Sequence, residues 1–128
     1  MKHQDLREGK RCYYCNNEPI GLKTKFGLIL ECPHCKAYVS TDKHTCEPKG
    51  SLADGDLRRK RRIAHIHSDD LIKKKIRKDN VSYEDAKEAL YNWLSKEIKL
   101  DFNMVSIAQL FPRETDDIIV LMEKYSKR

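Results

Sequence analysis

Cys12-Tyr-Tyr-Cys15 and Cys32-Pro-His-Cys35 form two C-x2-C pairs with sixteen residues between them. Two thiolates one short turn apart grip one edge of a metal tetrahedron. A second turn of the same kind closes the opposite edge, so the spacing predicts a four-cysteine zinc site. Thiolates in both pairs select zinc among the common cytosolic metals, with iron the main competitor. Pro33 lies within the second pair. Asn16 follows the first pair and tolerates the left-handed backbone such a turn needs. Lys36 follows the second pair, where glycine would suit better.

Cys12, Cys15, Cys32 and Cys35 supply four protein ligands and leave no coordination position for water. The expected cofactor is therefore one structural Zn2+ per chain. The alternatives are two disulfides or four unconnected thiols. Five cysteines, four of them in C-x2-C pairs, fit a reducing cytoplasm better than a disulfide framework. His34 within the knuckle, or His44 with Cys46, could offer rival ligands, but neither is needed once four thiolates converge. Cys46 is expected to be a partly buried free thiol.

Such a staple suits the rest of the chain. Its 128 residues are 36% charged and 39% hydrophobic, so the core must be modest. The net charge of +6 favours anionic partners. No stretch approaches the roughly 20 apolar residues of a membrane span. The first residues, MKHQDLREGKR, lack the apolar core of a secretory signal. A membrane partner is not expected, and no small-molecule substrate is evident.

Three regions are expected. Residues 1–10 are polar and read as a flexible N-terminus. Residues 11–51 read as a zinc ribbon and loop. Ile20 and Leu22 form one strand, Phe26-Gly27-Leu28-Ile29-Leu30 a second, turned around Thr24-Lys25, and Ala37 to Thr41 a third. Residues 52–128 read as a helical lobe packed on the ribbon. A first helix is expected over 53–67, capped by Ser51 or Asp54. A second short one is expected over 68–77, broken by Asp79-Asn80. A third starts at the Ser82/Asp85 capping pattern, with Ala86, Ala89, Leu90, Trp93, Leu94 and Ile98 at helical spacing. An irregular apolar stretch follows at 101–111, around Met104, Val105, Ile107, Leu110 and Phe111. Pro112 opens a last helix whose apolar side holds Ile118, Ile119, Leu121, Met122 and Tyr125. Trp93 and that side are assigned to packing. The fold class is α+β, a three-stranded zinc ribbon with three to four C-terminal helices.

Basic charge is concentrated in one place. Residues 54–78 hold ten Lys/Arg against four Asp/Glu, whereas residues 79–128 hold seven against ten. Within that segment, Arg59, Lys60, Arg61, Arg62, Lys73, Lys74 and Lys75 are candidate anion- or nucleic-acid-binding residues. Five consecutive cations, Arg58 to Arg62, sweep through about 400° of helix and cannot share one face. Some must lie beside packed structure with their stems on apolar surface. Phosphate contacts of this kind bind nucleic acid without reading its sequence. Tyr13, Tyr14 and Tyr38 near the ribbon are candidates for stacking on unpaired bases.

Catalysis is not expected. His65-Ile-His67-Ser-Asp69-Asp70 contains the residue types of a metal-dependent nuclease. However, His65 and His67 point about 200° apart on a helix and cannot share a metal there. His65 is more simply structural, bonding a ribbon carbonyl. No nucleotide-binding glycine loop, nucleophile elbow or H-E-x-x-H is present.

Taken together, Cys12, Cys15, Cys32-Pro33-x-Cys35, Ala37-Tyr38-Val39, Pro48-x-Gly50-x-Leu52-Ala53, Leu57-Arg58 and Ala64-His65 form a pattern. The chain resembles the zinc-finger-containing domain family of small bacterial and phage proteins. Tyr91-Asn-Trp93-Leu94 is similar to that family's aromatic helix, and Ile107-Ala108 with Ile118-Ile119 to its closing segment. The resemblance implies a zinc ribbon followed by helices. It implies no activity, because the family has no assigned biochemical role. The chain departs from the pattern at Asp42, where the family has a histidine; His44 follows two residues later. The functional expectation is a non-catalytic zinc module that binds nucleic acid through the basic helix and ribbon surface. The alternative is a protein-binding adaptor or inhibitor, phage-encoded and directed at a host protein.

Overall fold

The structure is a computed structural model and describes residues 4–100 and 106–126. Its elements run α1 (Gln4–Arg7), β1 (Ile20–Thr24), β2 (Gly27–Glu31), β3 (Tyr38–Ser40), α2 (Gly55–Asp79), α3 (Tyr83–Ile98) and α4 (Pro112–Ser126). Met104 and Val105 of the expected apolar stretch lie outside the described residues. The chain divides into two compact units. One runs to Arg58 and adds Ala108–Phe111; the other comprises Arg59–Ile107 and the chain from Pro112. The expected boundary lies at 51/52, whereas here residues 52–58 and 108–111 also belong to the N-terminal unit.

In the N-terminal unit, β1, β2 and β3 form an antiparallel sheet in sequence order. Leu22 lies opposite Ile29, and Leu30 opposite Val39. Strand alternation puts Leu28, Leu30 and Val39 on one face and Ile20, Leu22 and Ile29 on the other. The first face meets the core, where Leu30 packs against Cys12, Cys32, Ala37, Val39 and Leu52. The connection between β1 and β2 is tighter than expected. Thr24 Oγ1 donates to the Gly27 carbonyl at 2.8 Å and accepts from the Phe26 amide at 3.2 Å. Phe26 therefore belongs to the turn rather than to a strand, and its ring is 90% exposed.

Residues 4–10, expected to be flexible, are tied down. Arg7 is buried, its guanidinium 4.2 Å from the Phe111 ring centroid and its Nη1 3.3 Å from the Gln109 carbonyl. Gly50 lies against the same returning segment. A Cβ at that position would stand 2.0 Å from the Ala108 carbonyl oxygen, while the Ser51 amide donates to that oxygen at 3.0 Å. Residue 50 must be glycine for this backbone approach.

The two helices expected over 53–77 are one helix of 25 residues, α2. Ser68-Asp69-Asp70 resembles a helix start, yet no Gly or Pro breaks the chain there. Ala64, Ser68, Leu71 and Ile72 keep the i, i+4, i+7, i+8 spacing of one buried stripe. Tertiary burial overrides the local capping preference. Asp54 is the cap, its Oδ1 accepting from the Leu57 amide at 2.9 Å. Ser82 caps α3 through the Asp85 amide at 3.1 Å, and Lys99 closes it in the left-handed conformation. α3 and α4 pack together; Leu94, Ile118 and Met122 are fully buried. Trp93 and Tyr125 meet with ring centroids 5.3 Å apart.

Candidate metal centre

Each C-x2-C pair is a turn with one repeated hydrogen-bond pattern. In the first, the Asn16 amide donates to the Cys12 carbonyl and the Cys12 amide to the Asn17 carbonyl, both at 2.8 Å. In the second, Lys36 donates to the Cys32 carbonyl at 2.9 Å and Cys32 to the Ala37 carbonyl at 2.8 Å. Closing either turn requires a left-handed residue after the second cysteine. Asn16 (φ 65°) and Lys36 (φ 62°) occupy those places.

The two turns bring the sulfurs of Cys12, Cys15, Cys32 and Cys35 within 4.8 Å of one another. A zinc tetrahedron with bonds of about 2.3 Å needs sulfurs about 3.8 Å apart, so the group fits. All four are free thiols, and Cys15 Sγ to Cys32 Sγ is 3.3 Å, far beyond a disulfide bond. Cys12 and Cys32 are buried beneath the ribbon core, and Cys35 is exposed. The four cysteines are positioned to bind one metal ion. A full thiolate set of this kind is a structural centre, with no site for an activated water.

Hydrogen bonding divides the proton affinities within the cluster. The Asn17 backbone amide leads in lowering the Cys15 thiol to about 6, and the Asn17 side-chain amide lies 3.2 Å from the same sulfur. The hydrogen bond to Cys15 leads in raising Cys35 to about 12, and burial raises Cys12. These shifts favour the thiolate at Cys15 and the protonated form at Cys12 and Cys35. A cation entering the cluster displaces those protons.

A third turn repeats the backbone pattern without thiol ligands. The Asp42 amide donates to the Glu47 carbonyl at 2.8 Å, the Cys46 amide to the Asp42 carbonyl at 3.0 Å, and Cys46 is left-handed (φ 62°). Asp42 Oδ1 accepts from the His44 and Thr45 amides at 2.8 and 3.1 Å. In the second metal turn, Cys32 Sγ accepts similarly from the Cys35 amide at 3.4 Å. At Asp42 the carboxylate does by hydrogen bonding what a sulfur does in the metal turns. Those two amides hold its pKa below the usual value. Cys46 and His44 are exposed, so the partly buried thiol expected at Cys46 is not found.

The other candidates fall in different places. Tyr14 accepts from the Asp54 amide at 3.2 Å, Tyr13 stacks 4.5 Å from Phe111, and Tyr38 lies under Arg58 at 4.0 Å. Arg59, Arg62, Lys73, Lys74 and Lys75 are exposed, while Lys60 and Arg61 are half-buried. Lys60 pairs with Asp116 at 3.1 Å, Lys74 with Asp70 at 3.2 Å, and Lys75 with Asp79. His67 Nε2 lies 3.4 Å from Glu123, and His65 is exposed. One contributor, Asn17, is visible in the sequence only as a polar residue after the first knuckle. Arg77 and Lys78 extend the second basic cluster of the sequence, and the helix face that Arg77 shares with Arg59 is apparent only once α2 is continuous.

No helix among the described residues is long and apolar enough to cross a membrane. No curated protein and no solved structure matches the chain. A family described as a zinc-finger-containing domain matches residues 7–125. That match spans both knuckles, the ribbon and all three long helices, and the chain belongs to this zinc-finger-containing domain family.

Proposed function

We propose that the zinc module is a non-catalytic nucleic-acid-binding protein that engages the phosphate backbone through the outward face of α2. One observation carries this reading. Arg59, Arg62, Lys73 and Arg77 are all exposed and lie within about 60° of one another around the helix, opposite the buried Ala64, Ser68 and Leu71. The line from Arg59 to Arg77 is about 27 Å long at 1.5 Å per residue. A rigid row of cations on that scale suits a polyanion. Lys60, half-buried and paired with Asp116, is a weaker candidate than the sequence suggests.

Anisotropy with mixed-sequence single- and double-stranded DNA and RNA at several salt concentrations tests the proposal. Changing Arg59, Arg62 and Lys73 to Gln preserves helix propensity. On duplex DNA the log–log salt slope should shrink by about 2.7, one phosphate being neutralised by each residue. Lack of micromolar binding to every polymer at low salt would overturn this function.

Ile66, 61% exposed within the same face, and Ile63, 40% exposed beside it, favour a second reading as a protein-binding adaptor. An apolar protein interface would persist at salt concentrations that abolish phosphate binding.

A further inference from the structure

The helical unit contains a cleft of about 670 Å³ that no part of the proposed phosphate contact uses. This lies within the usual range for small-molecule sites. Leu71 and Leu90 contribute apolar lining, and Trp93 and Tyr125 contribute rings tilted 49° to one another. Trp93 is only half-buried, and Tyr125 is 53% exposed, so both rings keep surface for a ligand. Among the described residues, Lys74, Lys75 and Lys78 also line the cleft with the carboxylate of Asp79; Lys75 pairs with Asp79 and Lys74 with Asp70, which leaves Lys78 as the excess cation. The site is thus aromatic inside and cationic at one side.

The position of those lysines on α2 selects the ligand. Lys74 and Lys78 are one turn apart and lie about 60° and about 100° around the helix from the Arg59–Arg77 line. Lys73 and Arg77 on that line are their immediate neighbours in sequence. Phosphates following the line pass beside the cleft, and a base turned out of the strand can reach the rings. We infer that the cleft takes one unpaired base of a single-stranded nucleic acid. The base stacks on Trp93 and Tyr125, and its flanking phosphates meet Lys74 and Lys78. An acyl chain would fill the apolar lining but would make no use of the lysines beside the two rings. Base–aromatic stacking tolerates any sequence because every base has a π-face. The inference rests on the nucleic-acid reading above and adds to it a preference for single strands.

Trp93 is the only tryptophan in the chain, so its fluorescence reports on the cleft alone. The test titrates the zinc-loaded protein with a twelve-nucleotide oligo-dT strand, the same backbone carrying abasic residues, and a duplex of equal length. The oligo-dT strand should quench Trp93 and bind about tenfold tighter than the abasic strand. Tyr125→Ala removes an exposed ring and should cut the oligo-dT affinity about tenfold while leaving abasic binding unchanged, with circular dichroism confirming the fold. Equal affinity for oligo-dT and abasic strands would overturn the base site and leave the phosphate reading standing. Absence of binding to all three at low salt would overturn both.

Discussion

The guanidinium of Arg58 lies 4.0 Å from the centroid of the Tyr38 ring, and its Nη1 donates to the Ala53 carbonyl at 2.6 Å. The first of the five consecutive cations is therefore a structural residue of the N-terminal unit. It joins β3 to the start of α2. Tyr38 and Ala53 are themselves paired through backbone bonds of 3.0 Å in each direction. Arg58→Ala should cost about 2 kcal/mol from the lost cation–π and charged hydrogen bonds. Arg58→Lys should recover little, since an ammonium lacks the planar fork. Thermal melts check this, and the salt slope of any nucleic-acid binding should stay unchanged.

Removing the metal should remove the ribbon. Elemental analysis should give one zinc per chain. Structural zinc contributes on the order of 10–16 kcal/mol of apparent binding free energy in small zinc peptides, so Cys32→Ala or a strong chelator should unfold the N-terminal unit. Cys46→Ala should leave metal content unchanged. Lys36→Gly should raise the melting temperature, because it relieves a left-handed non-glycine residue, a gain of about 0.5–1 kcal/mol after the entropy of glycine is counted.

Asp42 gives a pH-dependent signature. Its folded pKa lies below the unfolded value, so its stabilising contribution is fully present above the unfolded pKa and is lost as pH falls through the folded one. Asp42→Ala should melt lower than the wild type by a constant margin from about pH 8 to about pH 5, given an unfolded pKa near 3.9. The margin should narrow below about pH 4. Protonation of the zinc thiolates acts on both proteins and cancels in the difference. A margin that grew on acidification would contradict the hydrogen-bonding role assigned to this carboxylate.

In the helical unit, the order of two neighbouring truncations is diagnostic. Leu94 is fully buried and Trp93 only half so. Leu94→Ala should cost about 2–5 kcal/mol. Trp93→Ala should cost less, about 1–3 kcal/mol, despite removing the larger side chain. Chemical denaturation of both variants checks the ranking; the reverse order would place Trp93 in the core.

Gly50→Ala should be among the most damaging small substitutions in the chain, at about 3 kcal/mol or more, since the added methyl meets the Ala108 carbonyl rather than a movable side chain. Gly27→Ala meets nothing within 4 Å and should show only the strain of its positive φ. Comparing the two melts separates a steric cost from a conformational one.

Features set by short-range chemistry were legible in the sequence. The C-x2-C spacing announced the knuckles, Ser82 with Asp85 announced the start of α3, and the apolar run Leu28-Ile29-Leu30 announced β2. Long-range burial was not legible. The Ser68-Asp69-Asp70 run imitates a helix start, and only the burial of Ser68 and Leu71 on one stripe shows that α2 runs through it. Arg7 looks like a tail residue until Phe111 returns to meet it. Trp93 has core spacing, but spacing cannot show that one side of the ring faces a cleft. Asp42 illustrates a different limit. Its backbone turn repeats that of the metal sites, while its side chain belongs to no metal motif.

The interleaving of the two units bears on how the protein is made. Cys35 leaves the ribosome well before Ala108–Phe111, which complete the N-terminal unit. At about 5–20 residues per second, the gap between Cys35 and Phe111 is about 4–15 s. The nascent ribbon can capture its ion during that interval while Arg7 and Gly50 still lack their partners. A gene fragment cut after Arg58 would therefore encode a metal-loaded but unfinished domain.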